Sequence, residues 1–470
     1  MRVGDLQRIA AEIGRRRVVV LSDRYPPDSG GGAELSLHLL MREPALRDQS
    51  LVVTFDKSLP GPRRREIDGV DVLALPMNAA WPLHRMSQDQ VERLKARRYG
   101  LKWPKFLAEA AACALRDPKI HGPALGLRLV GDPPGGVRMA HATVPEGRVQ
   151  PEIRTVLDAV RPDVVHADNA RSIMMAADVL AERAEPLVAF VRDHRFTSLR
   201  FDQALGPPDD ALTFRERLAA RCARAALAYR QACLRRATAV IATSAHLAET
   251  LAEIVPAGRL KRLPLEPVEL PQHGLGAGGE SFSILVVGTL TRNKGQAHLL
   301  EAWPEIVARI PNARIDFAGQ GEARSEIERV ARRLGVTDRV TLHGHVTGET
   351  LARLYRDCDV VALPTLWSEP FGRVPLEAGA AGRPVVAYAS GGLVENVLDG
   401  VTGRLAPSRD VVAFAEALAD LAADPQTRRR MGEAGRARVA EAYAPSRLAD
   451  QLAGVWDEAA GTDAPQRSHA

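Results

Sequence analysis

Arg17-Val-Val-Val-Leu-Ser22, then Asp23-Arg-Tyr-Pro-Pro-Asp-Ser-Gly-Gly-Gly32, then Ala33-Glu-Leu-Ser-Leu-His-Leu-Leu40 read as an apolar strand, a turn-rich loop and a helix. The strand shows no alternation of apolar and polar positions, which predicts burial on both faces, as in a parallel sheet. Runs of the same kind occupy 50–55, 70–75, 163–166, 186–191 and 238–243, with helical stretches such as 151–160 and 169–184 between them. Strands alternating with helices predict a doubly wound parallel sheet. Leu263-Pro-Leu-Glu-Pro-Val-Glu-Leu-Pro271 and Gly274-Leu-Gly-Ala-Gly-Gly279 then break every periodicity and mark a domain boundary.

A second series follows: strands at 282–288, 314–318, 340–343, 360–364 and 384–388, with helices at 297–309, 323–334, 348–357 and 375–381. Helices finish the chain, one reaching 443 and another covering 446–459. The predicted architecture is α/β, two doubly wound Rossmann-like domains facing a cleft. The expected organisation is a first domain at 1–265, a linker at 266–280 and a second domain at 281–445. The last helix, 446–460, is expected to pack back on the first domain, ahead of a disordered tail at 461–470. In such sheets ligands bind at the carboxyl ends of the strands, which makes the cleft the default site.

Composition narrows the class. A chain of 470 residues is too long for one ordinary core, and 46% hydrophobic with 26% charged residues excludes wholesale disorder. Aromatic residues at 4% argue against a stacking platform for single-stranded nucleic acid. No apolar run approaches the roughly 18 residues of a membrane span, and the first residues lack a secretory apolar core. Cys113, Cys222, Cys233 and Cys358 form no metal-like or disulfide-like spacing and read as buried thiols of a cytoplasmic protein. The net charge of +5 is too small to indicate nucleic acid by itself. Two basic segments concentrate it, 85–105 around Tyr99 and Trp103, and 215–236, where Arg217, Arg221 and Arg224 share a helix face. A solvated helix surface or attraction to anionic lipid headgroups would account for either segment.

The densest chemistry lies in Trp367-Ser-Glu-Pro-Phe-Gly-Arg-Val-Pro-Leu-Glu377. A buried strand precedes it, and Pro375 is preformed for the first turn of a helix. The loop amides near that helix start can therefore meet an anion. The spacing of Glu369 and Glu377 carries no information alone, and a helix-capping carboxylate pair is the structural alternative. Gly288-Thr-Leu-Thr-Arg-Asn-Lys-Gly295 is a second loop between strand and helix, with the wrong glycine spacing for a phosphate-binding P-loop.

The motif E-x-F-G-x-x-x-x-E-A-x-A-x-G-x-P-V-V matches Glu369 to Val386, and it resembles the retaining glycosyltransferases of family four, which have the fold called GT-B. Gly288…Lys294-Gly295, Phe317-Ala-Gly-Gln-Gly321, Val340-Thr-Leu-His-Gly344, Gly391-Gly392…Glu395 and Asp399-Gly-Val-Thr-Gly403 also fit. So do Tyr25-Pro-Pro…Gly31-Gly-Ala-Glu34, Arg161-Pro-Asp-Val-Val-His166 and Val240-Ile-Ala-Thr-Ser-Ala245 in the first half. The resemblance implies transfer of a sugar from a UDP- or GDP-sugar to a glycan or lipid-linked acceptor, with retention and without an essential metal or other cofactor. It implies that Glu377 binds the ribose, that Glu369 binds the donor sugar, and that the N–H groups of Phe371, Gly372 and Arg373 meet sugar and diphosphate. Lys294 would neutralise the leaving diphosphate.

Three departures matter. Thr289 stands where the family usually has an arginine, and Arg292 is the candidate substitute. Arg192-Asp193 stands where members often carry His-Asp, with His194 two places late, so the histidine role does not transfer to Arg192. Arg192 is expected to bind phosphate or acceptor, and Asp193 either caps a helix or takes part in catalysis. Gly31 and Gly32 are expected to allow close approach of phosphate or acceptor. Gly344, in His343-Gly-His345, is expected near the nucleotide base; two histidines without a carboxylate or cysteine are poor ligation. A nucleotide-sugar epimerase and a non-catalytic nucleotide-sugar-binding protein are the rival readings. The expected location is cytoplasmic, at the inner face of a membrane.

Overall fold

The computed structural model describes residues 3–27, 32–56, 59–76, 150–198, 214–267 and 281–461. The first sheet contains β1 (Val18–Ser22), β2 (Ser50–Asp56), β3 (Arg63–Ile67), β4 (Val70–Pro76), β5 (Val164–Asp168), β6 (Leu187–Val191), β7 (Ala239–Ala242) and β8 (Leu260–Arg262). Their order is β3-β4-β2-β1-β5-β6-β7-β8, parallel throughout except for β3. The central strands β1, β5 and β6 are wholly buried, which is why they read as uninterrupted apolar runs. The second sheet holds β9 (Phe282–Val287), β10 (Ala313–Ala318), β11 (Val340–Gly344), β12 (Val360–Leu363), β13 (Val385–Tyr388) and β14 (Gly403–Ala406). It runs β11-β10-β9-β12-β13-β14, again parallel. In both sheets the order reverses beside the first strand, and each reversal opens a crevice at the carboxyl ends.

Several elements differ from the sequence reading. The expected helix at 297–309 is two helices, Gln296–Glu301 and Trp303–Arg309, because Pro304 has no N–H to continue the first. Strands β3, β8 and β14 and the helix Val3–Ile13 are additions. β3 is charged and sits at the sheet edge, where half-exposed Arg and Glu are expected. Asp68-Gly69 turns it into β4, both residues having positive φ (49° and 81°), as a type I′ hairpin requires. Glu266, placed by sequence at the start of the linker, is fully buried against the first domain; the rest of that segment from 268, and the tail from 462, lie outside the described residues.

The final helix, Pro445–Ala459, lies against the first domain. Leu448, Ala449, Leu452 and Trp456 are completely buried in one apolar cluster with Val18, Val20, Leu37 and Phe190. The Trp456 indole donates to Nδ1 of His166 on β5 at 3.2 Å. Burial, aided by Arg192, pushes the His166 pKa down to about 3, so the ring stays neutral and keeps accepting. Lys261–Glu458 at 2.6 Å and Arg17–Asp457 close the edges of this contact. The same cluster continues through Phe371, Leu376, Val439 and Tyr443, so apolar packing runs unbroken from the first sheet to the helix that carries Glu377.

Candidate active site

β9 ends at Val287, and the chain passes through Gly288 and Thr289 into a 3-10 turn, Arg292–Lys294. Gly295 then adopts φ +72°, and a Cβ there would sit 1.9 Å from the Pro364 carbonyl, so only glycine lets this loop press against the end of β12. That contact aims Lys294 at the loop beyond β12. Its Nζ lies 2.6 Å from Glu369 Oε2 and 5.3 Å from the centre of the Trp367 ring. The Trp367 indole donates to the same carboxylate oxygen at 3.0 Å. Glu369 is only 8% exposed, so an unpaired charge there would be costly, and the ammonium and indole balance it.

Gly372, at φ +80°, turns the loop into the helix Val374–Ala380. Glu377 sits in that helix, buried, accepting from the Tyr355 hydroxyl at 2.8 Å with Oε2 and facing Arg373 Nη2 at 3.5 Å with Oε1. Burial beside Glu377 raises the Tyr355 pKa far above the ordinary phenol value, so the hydroxyl remains a donor at every working pH. A cavity of about 200 Å³ opens here, lined by Gly288, Thr289, Lys294, Glu369, Gly372 and Arg373 among others. One carboxylate, Glu369, and two cations, Lys294 and Arg373, therefore line one recess at the carboxyl ends of β9 and β12, with Glu377 behind Arg373; such a lining suits a sugar bearing a diphosphate.

The other expected residues are placed as follows. Gly32 begins the helix Gly32–Met41 across from Arg373, whose Nη1 donates to the Gly32 carbonyl at 2.6 Å; Gly31 lies outside the described residues. Phe371 turns into the apolar cluster, its ring 6.4 Å from that of Tyr443, and does not line the recess. Arg292 is exposed, faces Glu326 at 3.4 Å and is not among the residues that line the recess. Gly344 ends β11, accepts from Gly319 N–H at 2.8 Å and is not part of the recess. His343 faces Asp316 at 2.7 Å. Asp193 caps the turn His194–Phe196 by accepting from Arg195 N–H at 2.9 Å, the anchoring alternative of the two expected for it.

Arg192 does not point to an open acceptor surface. Its Nε donates to Asp168 at 2.5 Å and its Nη1 to the Ser36 hydroxyl at 3.0 Å, all of them buried, and it covers the Phe190 ring at 4.2 Å. Asp168 and Glu266 share this guanidinium's surroundings. Burial pushes Asp168 up to about 6 and Glu266 up to about 7, although Arg192 pulls both the other way.

A pH dependence of stability follows from Glu266. Unfolded, it ionises near 4.5; folded, it keeps its proton until about 7. Between those values the folded state binds the extra proton, so stability falls as pH rises and is flat above about 7. The loss amounts to at most on the order of 3 kcal/mol. Glu266→Gln should narrow the difference between urea midpoints at pH 5 and pH 8; equal differences in both proteins would rule out this source.

Of the basic segments, 85–105 lies outside the described residues, while 215–236 forms the helix Phe214–Leu234 and the two residues beyond it. Arg217, Arg221 and Arg224 are exposed, and so is Phe214 at 78%. Arg230 is the exception to the solvated-face reading: it is 1% exposed and donates from Nε to the Arg195 carbonyl at 2.6 Å. Cys233 and Cys358 are buried free thiols, each pushed up to about 12 chiefly by burial. Among the described residues no helix is long and apolar enough to cross a membrane.

Residues 108–265 match the family model described as Glycosyltransferase Family 4, and residues 273–438 match that of glycosyl transferases group 1. The two together account for well over half of the chain. It belongs to the glycosyltransferases of family four. Among members of this family, the GDP-mannose-dependent alpha-(1-6)-phosphatidylinositol monomannoside mannosyltransferase of Mycolicibacterium smegmatis is 37% identical over 171 residues, 35% of this chain and 44% of that protein. A D-inositol 3-phosphate glycosyltransferase of Kribbella flavida is 46% identical over 146 residues, 30% of this chain and 34% of that one. The matched stretch thus spans less than half the length of either relative. In fold, the chain is similar to Anabaena HepE, solved with UDP and glucose, with a TM-score of 0.61 at 18% identity, covering 94% of this chain and 99% of that one. The family's GT-B architecture is the one seen here.

Sequence reasoning missed Tyr355 and Trp367 as donors to Glu377 and Glu369, and the Arg373 side chain as part of the recess. Tyr355 lies 22 residues before Glu377 on another helix, and only the packed sheet brings the two together. Trp367 stood in the quoted motif, and its indole beside an acidic loop was a legible donor.

Proposed function

We propose that the protein transfers a glycosyl group from a UDP- or GDP-sugar to an acceptor hydroxyl with retention of configuration. The observation that carries this is Lys294 paired with Glu369 at 2.6 Å in the recess that Gly372 and Arg373 also line. Lys294 neutralises charge on the leaving diphosphate, Glu369 orients the donor sugar through its hydroxyls, and Glu377, steadied by Tyr355, takes the ribose. The acceptor oxygen attacks from the face the diphosphate leaves, and its proton passes to the departing phosphate oxygen. Lys294 and the loop amides supply the positive charge, so the reaction is proposed to need no metal. The acceptor is a glycan or lipid-linked group in cell-surface glycoconjugate synthesis. The name of the phosphatidylinositol monomannoside mannosyltransferase supports a lipid-linked acceptor, whereas that of the D-inositol 3-phosphate glycosyltransferase points to a small polyol phosphate. The exposed arginines of the helix Phe214–Leu234 would bring the protein to an anionic membrane surface at the cytoplasmic face.

A thermal-shift screen of the purified protein against UDP, GDP, ADP and their sugar conjugates, with and without EDTA, tests the donor site. One nucleotide should raise the melting temperature by several degrees, in EDTA as well, and Glu377→Ala should abolish that rise. A shift that needs a divalent cation would refute the metal-free reading. Tight binding with no turnover of any donor would leave a nucleotide-binding protein.

A further inference from the structure

The loop that carries Glu369 is held through six consecutive carbonyl groups. Trp367 O accepts from the Ser390 hydroxyl, Glu369 O from Gly392 N–H at 2.7 Å, and Phe371 O and Gly372 O from the Asn396 amide at 2.7 and 3.0 Å. Those donors belong to the second domain. The remaining two carbonyls are met from the first domain. Ser368 O faces Nε2 of His194 at 2.9 Å, and Pro370 O accepts from the Ser244 hydroxyl. The Ser368 hydroxyl pairs with Nε2 of His246, and Glu395 takes the N–H groups of Ala245 and His246 at 2.9 and 3.0 Å.

The alternation has a geometric meaning. The Ser368 carbonyl belongs to the peptide plane that enters Glu369, and the Pro370 carbonyl to the plane whose N–H is that of Phe371. Fixing the first sets the direction of the Glu369 side chain; fixing the second aims an amide at the start of the helix Val374–Ala380. The loop has no ladder of its own, so these carbonyls need outside partners. A carbonyl partner makes Nε2 of His194 the donor, with Nδ1 facing the Thr197 hydroxyl at 3.2 Å. The ring is fully buried, edge-on to Trp367 at 6.0 Å, and has no freedom to turn away.

We propose that His194 and Ser244 are positioning residues: the first domain sets the geometry of the Glu369 loop through its backbone, so the donor site is complete only when the two domains are in contact. The proposal rests on the transfer reading above. Neither residue touches the reacting atoms; both act through peptide planes.

Hydrogen–deuterium exchange of the segment 367–373 tests it without any substrate. His194→Leu and Ser244→Ala should each speed exchange there about tenfold, the weight of one lost hydrogen bond, and leave β9, β10 and β12 unchanged. At saturating donor, turnover should fall by about a hundredfold, as expected for a misplaced group. Affinity for UDP or GDP, whichever the wild type binds, should stay within about twofold. Ser244→Thr keeps the hydroxyl and should restore both exchange and turnover. Should His194→Leu fail to fold, the Ser244 pair carries the comparison. Unchanged exchange at 367–373 in the folded variants overturns the proposal even if turnover falls. A wild-type protein that turns over no donor overturns the transfer reading itself, whatever the exchange shows.

Discussion

Lys294→Ala lowers turnover by about two to three orders of magnitude, the range measured when a preorganised charge partner is removed from a developing anion. The reason lies in two charges at once. Lys294 Nζ sits 2.6 Å from a Glu369 carboxylate that is 8% exposed. Without the ammonium, the incoming diphosphate meets no cation in the Gly288–Thr289 loop, since Thr289 replaces the arginine usual there and Arg292 is turned to Glu326. Glu369 also loses its charge partner, keeping only the Trp367 indole, and stands as an uncompensated negative charge beside the diphosphate, which opposes both binding and departure. Initial rates of nucleoside diphosphate release, with the donor found by the thermal-shift screen, give the number. Lys294→Arg should recover part of the rate, and the double variant Lys294→Ala with Glu369→Gln should lose no more than the worse single change. A Lys294→Ala rate within about threefold of wild type would show that the pair is structural.

Trp456→Ala costs about 4 kcal/mol, the usual penalty for emptying a buried tryptophan site, and with it on the order of 10 °C of melting temperature. Trp456 is completely buried, and its indole bonds a neutral, buried His166, so the change leaves a cavity and an imidazole nitrogen without its donor. Trp456→Phe keeps the ring and should cost about half as much. The effect should register in the first domain, because Trp456 bonds His166 on β5 and shares one apolar cluster with residues of β1, β5 and β6. Urea unfolding followed by far-ultraviolet circular dichroism measures it. A Trp456→Ala midpoint unchanged from wild type would mean that the final helix docks without supporting the first sheet.

The strands that decide the architecture were legible because they are buried on both faces. Val18-Val-Val-Leu21 and Val360–Leu363 carry no polar residue to blur them, and the one polar residue of β1, Ser22, stands at its end. Edge strands such as Arg63–Ile67 were not, since their residues follow solvent; the Asp68-Gly69 pair was the one sign of that hairpin. The helix Val3–Ile13 did leave a trace: Leu6, Ile9, Ala10 and Ile13 recur at helical spacing, and three of them are buried. In the site, the motif found Glu369, Glu377 and Lys294 because it is contiguous or follows a strand. The partners of Arg192 were beyond reach. Asp168, Ser36 and Glu266 come from three separate segments, and only the closed sheet shows that the guanidinium is enclosed.

The return of the chain to the first domain at residues 443–445 gives the second domain two covalent attachments, the other falling between 266 and 281. Mechanically, a body fastened at two points turns about the line joining them and loses most of its freedom to swivel about a single tether. In engineering terms, β9 to β14 and their helices form a cassette inserted into the first domain. The corresponding cassette from a relative could be exchanged at those two junctions, leaving the first domain and the docked final helix in place.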